Sequence, residues 1–240
     1  MNTLLVRRGP RGGCVCRGGH NFDILTGTDL LSSRGQQALW HYLETARPRI
    51  VIMAPPCRGL KGWAALNAII HRAGWLRSLR LSVPFGKLCG RVAKRQLSVG
   101  AHFIVEQPAG SKLFQLREWM EISRRPSIVW VRAGQCVAGL RGHRTGMSIK
   151  KRTECWTSCE ALIRPLWQFQ CHGRQRRAHL GITDPTQRAE AWPRALCAAN
   201  AEGCATVLRD SHLAHVSLQH LRKYLMRLYI QQLHSPPTKF

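Results

Sequence analysis

Ile50-Val51-Ile52-Met53-Ala54-Pro55-Pro56-Cys57 is a short apolar run that empties into two prolines and a cysteine. Its β-branched residues and lack of alternation suit an interior strand covered on both faces. The prolines forbid helix beside the cysteine and stiffen the turn. A second run of the same kind, His102-Phe103-Ile104-Val105, empties into Glu106-Gln107-Pro108. Reacting groups collect at the carboxyl edge of an open parallel sheet, where rigid strands hold the loops. Cys57 and Glu106 are therefore expected at one shared site, the thiol as a nucleophile and the carboxylate as a proton donor or acceptor. A buried small residue after one strand and a turn-capping carboxylate after the other account for the same residues.

Upstream, Asp23-Ile24-Leu25 reads as a short strand ending in the turn Thr26-Gly27-Thr28-Asp29-Leu30. Ser33 caps a helix running to Ala46 and stopped by Pro48. With the strand into Pro55 this makes a strand–helix–strand crossover unit. Downstream, apolar residues recur at helical spacing over 63–99 in two pieces parted near Gly74, with Pro84 and Gly86 expected to break or kink the second. A short helical stretch over 114–122 and a strand over 127–131 follow. Residues 149–157 read as an exposed or edge strand, and 189–201 as a helix that begins at or before Trp192-Pro193. A last helix over 217–233 aligns Leu218, Leu221, Leu225 and Leu228, a stripe that docks on the chain's own core or takes a partner. The expected organisation is an Arg/Gly-rich flexible arm over 1–21, an α/β domain over 22–200, and a linker with a C-terminal amphipathic helix over 201–240. The arm is either a solvated tail or a single-strand-binding segment.

The net charge of +25, from 37 basic against 12 acidic residues, gives a field that polyanions feel over the whole surface. Nucleic acid is the expected partner, although basic residues are spread along the chain rather than gathered in one block. An apolar content of 44% argues for a globular body. No apolar run reaches bilayer-spanning length, and the first eight residues are too few and wrongly flanked for a secretory signal, so no membrane partner is expected. An intracellular, reducing compartment, the nucleus among them, then suits the ten cysteines as thiols. The spacing of Cys155, Cys159, Cys171 and His172 lacks the symmetry of a zinc knuckle, as does that of Cys14, Cys16 and His20, and no metal is expected.

Together these motifs resemble the DNA (cytosine-5) methyltransferases, in particular the divergent versions of phages and mobile-element polyproteins. Pro55-Pro56-Cys57 looks like the nucleophile loop and Glu106-Gln107-Pro108 like the glutamate loop. Gln135-Cys136 with Gly139, Ile149-Lys150-Lys151-Arg152-Thr153 before Trp156-Thr157, and Trp192-Pro193 with Leu196 are similar to later segments in the same order. The resemblance implies a Rossmann-like methyltransferase fold with a mostly parallel open sheet, incomplete at its N-terminus. It implies that the Cys57 thiolate adds to cytosine C6, that Glu106 holds the pyrimidine edge, and that Arg152 contacts the base or backbone of a flipped nucleotide. Arg58 and Arg49, close to Cys57 in sequence, are candidates for favouring its thiolate.

The cofactor implied is S-adenosylmethionine, with Gly27, Asp29 and Pro55 as its candidate contacts. The family's glycine turn and ribose-binding acid have no counterpart; Leu4-Leu5-Val6 before Arg7-Arg8-Gly9 is the nearest substitute. Gln107 stands where the family usually has Asn, Arg58-Gly59-Leu60 replaces a polar tripeptide, and Gln175 and Arg177 stand where histidines are common. These departures lead to the expectation of a methyltransferase-like domain that is catalytically impaired but binds nucleic acid, DNA rather than RNA. A decayed mobile-element fragment without independent activity is the alternative.

Overall fold

A computed structural model describes residues 2–8, 14–61, 64–142, 146–171 and 192–210. The expected features at Trp63, His172, Gln175, Arg177, the start of the 189–201 helix and the 217–233 helix lie outside them. The chain divides into two compact units: Met1–Val6, Arg17–Trp130 and Glu154–Glu160 form the first, and Arg7–Cys16, Val131–Thr153 and Ala161–Phe240 the second.

Among the described residues the architecture is α/β, with six helices and a mixed open sheet. Its strands are β1 (Asn2–Arg8), β2 (Cys14–Asn21), β3 (Ile50–Met53), β4 (His102–Pro108), β5 (Val129–Gly134) and β6 (Arg152–Thr157), in the order β2-β1-β3-β4-β6-β5. The helices are α1 (Ser33–Ala46), α2 (Ala64–Ile70), α3 (Arg72–Ser98), α4 (Arg117–Ser123), α5 (Glu160–Ile163) and α6 (Arg194–Asp210). Among the described residues no helix is long and apolar enough to cross a membrane.

β3 and β4 are the parallel pair expected of the two apolar runs, in the register Ile50↔His102 through Met53↔Val105. All four residues of β3 are buried, as are Phe103 to Gln107 of β4, so both faces of this pair are covered. On the other side of β3 lies β1, antiparallel, pairing Asn2↔Ile52, Thr3↔Val51 and Leu4↔Ile50. The sheet is therefore mixed rather than mostly parallel. Two strands, β1 and β2, occupy the stretch that composition reads as an arm.

Several local expectations give way. Asp23-Ile24-Leu25 is not a strand: Ile24–Thr26 is a 3-10 turn in which Asp23 accepts from Leu25 N–H at 2.9 Å, Thr26 Oγ1 accepts from Asp23 N–H, and Gly27 closes the turn at φ 84°. Three residues flanked by reciprocal caps form a turn more readily than a strand. The crossover built on that strand is absent, and the parallel crossover of the fold is the β3–α3–β4 unit. Ser32, not Ser33, caps α1 by accepting from Gly35 N–H.

The helical stretch after β3 breaks at His71 rather than Gly74, and Pro84 lies inside the 27-residue α3. Proline costs a helix interior about 3 kcal/mol. The buried face of α3, with Leu88, Cys89, Val92 and Ala93 in the same core as Phe103 and Val105, offsets that cost. Gly86 does not end α3 either; it is a close approach, where a Cβ would sit 2.8 Å from Leu116 Cδ1, and at Gly90 one would sit 2.6 Å from Cβ of Glu118 on α4. Beside it the Trp119 indole, fully buried, donates to Gly86 O at 3.0 Å. β6 is not an exposed edge; it lies between β4 and β5, and after the exposed Arg152 its residues Thr153, Glu154 and Cys155 are buried.

In the second unit, the end of β5 leads into a turn closed by Leu140 N–H donating to Gln135 O at 2.8 Å. Leu162, Leu166, Leu196 and Cys204 are buried, and Gly203 of α6 lies against the Leu162 backbone.

Candidate functional site

The parallel register of β3 and β4 sets the site, because both strands point their carboxyl ends the same way. Continuing the pairing past Met53↔Val105 brings Ala54 and Pro55 alongside Glu106 and Gln107. The loops are then joined directly. Gln107 Nε2 donates to Pro55 O at 2.6 Å, while Gln107 Oε1 accepts from the Ser111 hydroxyl at 3.0 Å. Lys112 N–H donates to Leu60 O at 2.7 Å, so the chain beyond each strand is tied to the other at two places.

Cys57 starts a tight turn, with Leu60 and Lys61 N–H groups donating to its carbonyl at 2.9 and 3.0 Å. It is half-buried and Arg58 beside it is exposed. The turn rests on α3. Gly59 N–H donates to the buried Ser82 hydroxyl at 3.2 Å, and a Cβ on Gly59 would lie 2.8 Å from Leu79 N, so only glycine allows this approach. The glycine that departs from the family's tripeptide thus has a packing reason.

Glu106 is 8% exposed, the last buried carboxylate position of β4 before the loop. Its charge is felt by Cys155 of β6: burial pushes that thiol well above its ordinary range, and the Glu106 and Glu154 carboxylates push it further. Cys155 is thus held as a neutral thiol next to the acid. Thr157 anchors β6 by donating from its hydroxyl to Phe103 O at 2.6 Å. The Trp156 indole donates to Glu154 Oε1 at 2.7 Å, and its ring stacks on Phe114 with centroids 4.1 Å apart and planes 5° from parallel.

Of the remaining candidates Pro55 lies within the tied loops, whereas Arg49 lies at the far end of β3. Arg49 precedes β3 and its carbonyl accepts from His102 N–H at 2.8 Å, so the strand carries Cys57 away to its other end. Arg49 bears instead on His102, whose imidazole is held below its ordinary pKa first by burial and then by this guanidinium. Asp29 is exposed and takes part in a turn, accepting from Leu31 N–H at 2.9 Å at the entrance to α1, while Gly27 ends the preceding 3-10 turn. Arg152 is the exposed first residue of β6. Pro55 is buried and its carbonyl is committed to Gln107.

These residues do not fit S-adenosylmethionine in the manner the resemblance implies. A glycine turn for the donor would follow the carboxyl end of a strand beside β3. Here β1 runs antiparallel, so its amino end, at Asn2, lies next to Ile52. Among the described residues no group of three or more His, Cys, Asp or Glu side chains is placed to hold a metal ion.

Sequence reasoning missed the clasp residues Ser111 and Ser82, and also the outer face of α3. Arg77, Arg80, Lys87 and Arg91 are all exposed there at alternating three- and four-residue steps around Pro84, which aligns them on one helical stripe. The stripe spans about 21 Å at the helical rise of about 1.5 Å per residue. Lys87 and Arg91 also line a shallow hollow of about 340 Å³ with Gln36, Val83, Pro84 and Glu118. The basic spacing was present in the sequence but masked by the apolar periodicity of the opposite face.

No family model, curated protein or solved structure matches the chain.

Proposed function

We propose that this chain is a catalytically impaired, cytosine-5 methyltransferase-like module that binds DNA through its basic surface. The observation that carries this reading is the Gln107–Pro55 bond, which ties the Cys57 loop to the Glu106 loop on adjacent parallel strands. A thiol and a buried carboxylate held this way have the character of a pyrimidine-recognising pair. The antiparallel β1 beside β3 supports impairment, because it presents its amino end, at Asn2, where a strand leading into a donor-binding glycine turn would end. The net charge of +25 and the α3 stripe support a polyanionic partner, since aligned cations release counterions from a phosphate backbone on contact.

The test is a pair of measurements on the full chain. Affinity for duplex DNA is expected to fall steeply with salt and to be the same for Cys57→Ala, because charge rather than the thiol supplies it. With 5-fluorocytosine DNA and S-adenosylmethionine, no covalent adduct is expected. An adduct that Cys57→Ala abolishes would overturn impairment, and absence of binding at low salt would overturn the DNA-binding role.

A further inference from the structure

Cys136 and Cys171 belong to the second unit, and the Cys57–Glu106 pair belongs to the first. Cys136 lies in the turn that wraps the end of β5, where Val137 and Ala138 N–H groups both donate to Gly134 O, at 3.0 and 3.3 Å. Cys171 follows the 3-10 turn Arg164–Phe169. Both side chains converge on Gly134. A Cβ at that position would lie 2.7 Å from Cys171 Cβ and 3.4 Å from Cys136 Sγ, so the missing side chain is the room that lets the two cysteines meet. The space beside Gly134 is thus shared by the Cys136 thiol and the Cys171 side chain. Both are half-buried, in contrast to the buried thiols of Cys89, Cys155, Cys197 and Cys204. Burial, and then the neighbouring Cys171, push the Cys136 thiol up, as expected where two acidic groups share one small site.

We propose that Cys136 and Cys171 form a reversible dithiol–disulfide couple, a modification site whose substrate is a low-molecular-weight disulfide. One protein thiolate attacks a sulfur of the small disulfide, forming a mixed disulfide and releasing one small thiolate. The second protein thiolate attacks the protein sulfur of that mixed disulfide, forming the Cys136–Cys171 bond and releasing the other small thiolate. The protein gives up two electrons and two protons, and the small disulfide is reduced to two thiols. Proximity drives the second step, since both side chains lie against the same glycine. The bond ties the turn after β5 to the segment after Phe169 and constrains the unfolded second unit.

The experiment equilibrates the full chain in glutathione buffers of graded redox ratio, blocks the remaining thiols by alkylation, and maps the cysteines by peptide mass spectrometry. The expected result is a Cys136–Cys171 crosslinked peptide that appears as the buffer becomes oxidising, disappears on reduction, and is accompanied by a rise in melting temperature. Gly134→Ala, which fills the shared room, is expected to cut the crosslinked fraction severalfold at a fixed ratio while leaving alkylation of Cys57 unchanged. Equal alkylation of Cys136 and Cys171 across the whole redox range would overturn the proposal. So would crosslinking of either residue to another cysteine in preference to its partner.

Discussion

Gln107 reaches across from the end of β4 to donate to the carbonyl of Pro55 at 2.6 Å, so one buried amide sets the spacing between the Cys57 and Glu106 loops. Its oxygen is used as well, by Ser111. Gln107→Ala removes both bonds, taking the donor from the Pro55 carbonyl and the acceptor from the Ser111 hydroxyl proton while Leu113 N–H still donates to the Ser111 oxygen, which costs about 2–3 kcal/mol. Urea unfolding is expected to show that loss, and Cys57 is expected to alkylate faster in the variant because its loop is no longer clasped.

Gly59→Ala tests the seat of the Cys57 turn on α3. The added methyl would meet the Leu79 backbone at 2.8–2.9 Å, and backbone cannot rotate away as a side chain does. A destabilisation of about 1–3 kcal/mol is expected from overpacking. Ser82→Ala, which removes only the 3.2 Å hydrogen bond to Gly59 N–H, is expected to cost about 1 kcal/mol by the same unfolding measurement.

Alkaline pH should weaken the protein through its buried thiols. Burial raises Cys89 from the ordinary 9.0 to about 12 and Cys197 to about 11. Between those values the unfolded chain has released the thiol proton and the folded chain has not, so stability falls as pH rises above 9.0 and stops falling once the folded thiols ionise. Each such thiol contributes at most about 1.4 kcal/mol per pH unit. Thermal unfolding from pH 8 to 11 is expected to show the decline, and Cys89→Ala is expected to be less stable at neutral pH but to decline less steeply.

Under the proposed DNA-binding role, the basic stripe of α3 is the expected contact surface. Arg80→Glu combined with Lys87→Glu reverses two exposed charges on opposite sides of Pro84 while leaving the buried face of the helix intact. DNA affinity is expected to fall at least tenfold, and the slope of log affinity against log salt to decrease by about 2, as two phosphate contacts are lost. Fluorescence anisotropy over a salt series reads both, and an unchanged slope would place the contact surface elsewhere.

The acid limb of stability depends on His102. Burial and Arg49 hold its folded pKa below the ordinary 6.5, so the unfolded chain takes up a proton first as the pH falls. Its contribution is present above 6.5 and is lost as the pH drops toward the folded value. His102→Gln is expected to flatten the decline between pH 6.5 and 5 in equilibrium unfolding.

The strand pair that organises the site was legible because continuous β-branched runs ending in proline have few other uses. The 3-10 turn at Ile24–Thr26 was not, since three residues carry no periodicity and reciprocal capping by Asp23 and Thr26 decided them. Pro84 reads as a helix breaker in isolation, and whether α3 continues through it depends on the core it covers, which is a tertiary quantity. Lysine and arginine before β6 suggested exposure, whereas Thr153, Glu154 and Cys155 are buried by strands on both sides.

The sequence by itself determined that Cys57 and Glu106 each follow a buried strand, because hydrophobic pattern and proline placement are local properties. Tertiary structure alone decided the register in which β3 and β4 pair, that β1 enters beside β3 the opposite way round, and that Gln107 closes the gap to Pro55. Strand direction and order depend on which distant edges pair, and the energy of that pairing is shared between segments that no local stretch of sequence contains.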